Sequence, residues 1–62
     1  MCLSTVYKNT KAPQNVAMSN VQKIELQDGQ ILLTDLMDRE MVIVGSLISV
    51  DLVGGVAIIQ ES

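Results

Sequence analysis

The sequence predicts an all-β fold, a small antiparallel barrel or meander of six to seven strands assembled as a homodimer, on three observations. Apolar runs rich in Val, Ile and Leu recur every ~8–12 residues with turn residues between them, the spacing of small barrels and sandwiches. In VQKIELQDGQILLTDL, residues 21–36, an Asp-Gly pair separates two strand-like runs. Finally, 48% of the 62 residues are hydrophobic, too many for a disordered chain. A chain this short buries only part of its surface by itself, and its single cysteine excludes an intrachain disulfide. Association with a second copy is the simplest way to complete the core.

Each element follows from its residues. MCLSTVYK (1–8) reads as the first strand, and the polar, Pro-containing KNTKAPQN (8–15) as a loop. Gln14–Met18 reads as a possible short strand. Asp28-Gly29 predicts a two-residue type I′ hairpin, with positive φ at both positions. That places Gln27 opposite Gln30, Leu26 opposite Ile31 and Ile24 opposite Leu33, with Lys23–Thr34 and Glu25–Leu32 on the other face. Met37–Glu40 forms the next turn, before EMVIVG. Gly54-Gly55 then separates ISVDLV from VAIIQE, with expected pairs Val53–Val56, Leu52–Ala57 and Val50–Ile59. MVIVG and VAII lack clean alternation, so both their faces are expected to be covered. The layout contains no repeat and reads as one domain, 1–62.

Composition removes several functions. Four basic residues against seven acidic ones give a net charge of −3. Nucleic-acid binding needs a basic face and stacking aromatics, and Tyr7 is the only aromatic. With no histidine in the chain, the imidazole-based nucleophilic arrangements are unavailable. No secretion signal is evident, and Cys2 has no apolar stretch before it; the expected compartment is the cytoplasm, where a lone thiol stays reduced. Residues 41–59 carry one charge in nineteen positions. An Asp near the centre of a membrane helix costs about 2.5–3.5 kcal/mol. β-branched residues and three glycines in this segment favour strands instead, and no membrane association is expected.

Chemistry concentrates at the amino terminus. Asp35, Asp38 and Glu40 sit in or beside a turn and read as a solvated loop, and Asp51 as a strand-end residue satisfied by backbone donors. Cys2 is different, because its thiol lies beside the terminal amine. The Met1 amine and the Cys2 amide nitrogen close one five-membered chelate ring, and the amide nitrogen and thiolate a second. Without Met1, the Cys2 amine and thiolate still form one ring. A nitrogen-and-sulfur set of this kind suits a square-planar ion such as Ni(II) or Cu(II). One chain supplies too few ligands for a closed site, and a two-fold dimer can bring two termini together.

The opening MCLSTVY, the central hairpin, the apolar strand ending in Gly45 and the VDL…GGV…I pattern over Val50–Ile59 together resemble the CooT-type nickel-binding proteins, accessory proteins for maturation of carbon monoxide dehydrogenase. The resemblance covers most of the chain. It implies Ni2+ bound through Cys2, with the Met1 amine and neighbouring backbone nitrogens as co-ligands, a homodimer with the metal near its interface, and a fold likened to the Sm-like RNA-associated barrels. It also implies a metallochaperone or nickel-storage protein that performs no turnover and serves a nickel enzyme such as carbon monoxide dehydrogenase. Two other readings stand beside it: an Sm-like RNA-binding module, and a structural assembly subunit with an incidental cysteine.

Overall fold

The computed structural model describes residues 3–62. Five strands close into a barrel in the order β1-β2-β3-β4-β5: β1 Ser4–Lys8, β2 Val16–Gln27, β3 Gln30–Asp35, β4 Glu40–Asp51 and β5 Val56–Glu61. Consecutive strands are antiparallel. The ring is closed by β1 against β5 in parallel, from Thr5 opposite Val56 to Lys8 opposite Ile59. An odd number of up-and-down strands makes the first and last run the same way, so the parallel pair is a consequence of closure. Closure also removes the free edges that an open meander would leave.

Among the described residues the strand count is five, where the sequence predicts six to seven, because two strands each absorb two expected ones. β2 and β4 are 12 residues long, and each is shared between two neighbours. Val16–Val21 of β2 pairs with β1, whereas Val21–Gln27 pairs with β3. In β4, Gln30 of β3 lies opposite Val44, and Gly45 already lies opposite Glu61 of β5. Asn20 (φ 55°) bends β2 next to its changeover, since Asn tolerates the left-handed region. Gly45 marks the changeover in β4. The expected loop at residues 8–15 is present and contains one 3-10 turn, Pro13–Asn15.

The first hairpin has the expected register, with Gln27, Leu26, Glu25, Ile24 and Lys23 opposite Gln30, Ile31, Leu32, Leu33 and Thr34. Its turn differs from type I′: Gly29 has φ 68°, while Asp28 is not among the positive-φ residues. The second hairpin is two residues out of the expected register. Val50 faces Ala57 and Asp51 faces Val56, leaving Leu52–Gly55 as a four-residue turn. Asp51 Oδ1 causes this by accepting the Val53 and Gly54 N–H groups at 3.1 and 2.8 Å. These side-chain bonds end the ladder before Leu52 can join it.

The barrel interior is filled by Val6, Val21, Ile31, Leu33, Ile43, Ala57 and Ile59, all buried. Burying an aliphatic side chain of this kind contributes about 1.5–3 kcal/mol, so a core of seven leaves a small margin over chain entropy. The expected cover over both faces of the apolar strands is not supplied within one chain. Val42 and Val44 of β4 are 58% and 54% exposed.

Candidate metal centre

Cys2 and Met1, the expected metal ligands, lie outside the described residues. What the structure gives is the chain from Leu3 onward. Ser4 starts β1, and the next residue is fixed twice: Thr5 pairs with Val56, and its N–H donates to the Gly55 carbonyl at 2.9 Å. The amino-terminal end of the chain therefore leaves the barrel beside the Leu52–Gly55 turn. Gly55 has φ 67°, and a Cβ there would sit 3.3 Å from the Leu3 carbonyl oxygen. Leu52 and Val53, at the tip of the turn, are 79% and 100% exposed. An apolar groove of about 390 Å³ opens nearby, lined by Ser4, Val21, Leu26, Val50 and Leu52 among others.

Among the described residues, no group of three or more His, Cys, Asp or Glu side chains could hold a metal ion. The turn carboxylates are spread over separate tasks. Asp38 Oδ1 accepts from Gln22 Nε2 at 3.0 Å, and Glu40 is exposed at the start of β4. Asp51 is occupied in its own turn, as the sequence predicts.

Asp35 departs from the solvated-loop expectation. It is only 3% exposed and ties the β3–β4 connection together. Its Oδ1 accepts the Met37 and Arg39 N–H groups, both at 2.9 Å, and its Oδ2 accepts Arg39 Nε at 2.8 Å. Burial pushes the Asp35 carboxyl pKa up, but the backbone donors of Arg39 and Met37, with the Arg39 guanidinium, outweigh this and hold it below 3.8. No sequence signal marked it, because outside a helix an i,i+4 spacing does not by itself bring two side chains together. A lowered folded pKa makes the ionised form the stabilising one. Its contribution is present above the ordinary carboxylate pKa and is lost as pH falls from there through the depressed folded value. Asp35→Asn is expected to lower the melting temperature at neutral pH and to flatten its decline between about pH 5 and pH 3, measured by circular dichroism. A variant whose decline matches the parent's would show that other groups carry the acid sensitivity.

Three of the four basic residues are engaged with acids: Lys8 with Glu61 at 3.4 Å, Lys23 with Glu25 at 3.3 Å and Arg39 with Asp35 at 2.8 Å. Such pairing leaves little of the unneutralised positive surface that a phosphate backbone requires. Residues 41–59 form most of β4, the following turn and the start of β5. No helix among the described residues is long and apolar enough to cross a membrane.

Taken together, these observations define a small all-β protein built on a closed five-stranded sheet, with no metal-holding cluster among the described residues. Comparison with protein families gives the particular one. The family model described as CO dehydrogenase accessory protein CooT matches residues 1–60, and the chain belongs to that family. Its role is therefore that of an accessory protein to CO dehydrogenase maturation and not of a catalyst. No curated protein matches the chain.

Proposed function

We propose that this protein is a nickel-binding accessory factor, a single domain over residues 1–62 that holds Ni(II) through the Cys2 thiolate and delivers it to carbon monoxide dehydrogenase in the cytoplasm. The observation that carries the reading is the family match over residues 1–60, which begins at the chelating Met-Cys pair. The donor chemistry fits the ion. The Met1 amine, the Cys2 amide nitrogen and the Cys2 thiolate form adjacent five-membered rings, a strong-field set suited to square-planar nickel. Nickel is cargo here, and a site at the chain terminus lets ligands exchange without unfolding the barrel.

The protein acts as a homodimer in this reading. Support comes from the exposed apolar positions on the outside of β4, Val42 and Val44, which a second copy would cover, and from the shortage of donors in one chain. The Sm-like comparison extends to the closed small barrel, without an RNA role, because three of the four basic residues are paired with acids.

The test is an anaerobic nickel titration of protein with a native, untagged amino terminus beside Cys2→Ser, with molecular mass measured in solution. Saturable binding with thiolate-to-nickel charge-transfer absorption, lost in the variant while the fold persists, is the expected result. The endpoint gives one ion per chain or one per dimer. Equal binding by both proteins, or none by either, overturns the nickel reading and leaves an assembly subunit with an incidental cysteine. A monomer at micromolar concentration overturns the dimer.

A further inference from the structure

We propose that the crevice over Thr34, on the outer face of β2, β3 and β4, is a docking pocket for a guanidinium group, the arginine side chain of a partner protein. It is independent of nickel and of the amino terminus.

Strand register sets its floor. Thr34 of β3 lies between Lys23 of β2 and Glu40 of β4, and residues opposite one another in a sheet share a face. The crevice over this row has a volume of about 510 Å³ and is completed by Gln22 and Asp38, which are joined by the 3.0 Å bond from Gln22 Nε2 to Asp38 Oδ1. The β3–β4 connection that Asp35 ties together also sets Asp38 in place. The Asp38 N–H donates to the Asp35 carbonyl at 3.0 Å, and the Asp35 N–H donates to the Arg39 carbonyl at 3.0 Å.

Two observations point to a ligand. Thr34 is only 6% exposed, and its hydroxyl oxygen is buried without a hydrogen-bond partner. A hydroxyl so placed has given up water and gained nothing from the fold in return. The second observation is charge. Lys23, on the crevice wall, is drawn to Glu25 at 3.3 Å, and Arg39 is engaged with Asp35 at 2.8 Å. Among the described residues neither Asp38 nor Glu40 has a basic partner. Two unneutralised carboxylates and an unused hydroxyl oxygen therefore surround one space, and a cation complements them.

The donor set decides which cation. A bare hard ion takes about six or more oxygens, and among the described residues no group of three acidic side chains is gathered for one. An ammonium is a compact, strongly hydrated charge. A guanidinium is weakly hydrated and spreads its N–H donors around a plane, so a single group can serve both carboxylates and the Thr34 hydroxyl. The exposed side chains of Lys23 and Glu40 turn aside to admit it. Met37, exposed beside Asp38 in the turn, offers an apolar contact to the residues flanking an arginine, which favours a protein segment over the free amino acid.

The experiment follows backbone amide NMR shifts of the full chain during titration with N-acetyl-arginine amide, its lysine and citrulline counterparts, Mg2+, free arginine and a blocked Leu-Arg-Leu peptide. Saturable shifts at Thr34, Asp38 and Glu40 are expected with the arginine amide, tighter binding with the peptide, and none with neutral citrulline. Asp38→Asn and Glu40→Gln should each bind about tenfold more weakly. Thr34→Val should bind about fivefold more weakly and yet raise the melting temperature of the free protein, because it removes a hydroxyl that the fold leaves unpaired. A melting temperature lowered by Thr34→Val would reveal a partner for the hydroxyl inside the fold and overturn the proposal. Shifts that are absent, or unchanged in Asp38→Asn and Glu40→Gln, overturn it as well. Lysine amide or Mg2+ binding as tightly as the arginine amide overturns the guanidinium, and free arginine binding as tightly as the peptide overturns the protein partner. The nickel reading is untouched by any of these results.

Discussion

Gly45→Ala is expected to cost most of the stability of the fold. The residue sits where β4 changes partners: its N–H donates to the Gly29 carbonyl at 2.9 Å, and it lies opposite Glu61 of β5. A Cβ at this position would overlap the backbone carbonyl oxygen of Gln60 and come within 3.1 Å of Glu61 Cα. Those atoms belong to the ladder itself and cannot rotate away as a side chain would. The strands must separate, which breaks pairing beside the buried Ile43 and Ile59. Overpacking of this kind costs about 1–3 kcal/mol and occasionally more. A core this small supplies a net of about 3–5 kcal/mol, so the melting temperature should fall by roughly 10–20 °C. Ser46→Ala, exposed and one position further on, should move it by no more than about 4 °C. A Gly45→Ala protein that melts with the parent would show that β5 can shift outward at no cost, against the geometry of a closed ring.

The same residue explains much of what was and was not legible in the sequence. Where a turn was local, the residues announced it: the Gln27–Gln30 register follows from Asp28-Gly29 and the alternation of Leu26, Ile24, Ile31 and Leu33. Gly45 and Asn20 are also turn-forming residue types, and a linear reading makes them strand ends. In the barrel they are bends within continuous strands, which only the pairing of distant segments reveals. The Gly54-Gly55 register failed for a different reason. Two glycines predict a tight turn, but the Asp51 carboxylate bonds backbone donors ahead of it and widens the turn by two residues, Leu52 and Val53, on the β4 side. Asp35 was obscured likewise, because burial of a carboxylate depends on Met37 and Arg39 folding back over it.

The candidate site divides along the same line. The proposed donors Met1 and Cys2 could be read directly, since chelate rings of adjacent residues are local chemistry. What the first strand packs against could not: Gly55 and Thr5 are 50 residues apart in sequence and meet only because an odd-stranded ring joins β1 to β5. If nickel is held at the terminus as proposed, its ligands can leave while every ladder bond persists, whereas a metal buried in the barrel would require opening the core.

Nickel affinity should depend steeply on pH, and the slope identifies the donors. A free terminal amine and a thiol have ordinary pKa values of about 7.7–8.0 and 8.5. Below about pH 7.5 both are protonated in the metal-free protein, and both protons must leave for nickel to bind. Binding is therefore favoured by raising the pH and opposed by lowering it. Two released protons make the apparent dissociation constant rise about 100-fold for each unit of fall in pH. If the Cys2 amide nitrogen also binds as the anion, a third proton is released and the change is about 1,000-fold per unit. Competitive titration against a chelator of known nickel affinity, at several values between pH 6 and 7.5, measures the slope. Two protons assign amine and thiolate, and three add the amide nitrogen. Acetylating the terminal amine should lower whichever value is found by one. An affinity unchanged across this range would exclude both groups as ligands, because no carboxylate in the chain releases a proton there at its ordinary pKa.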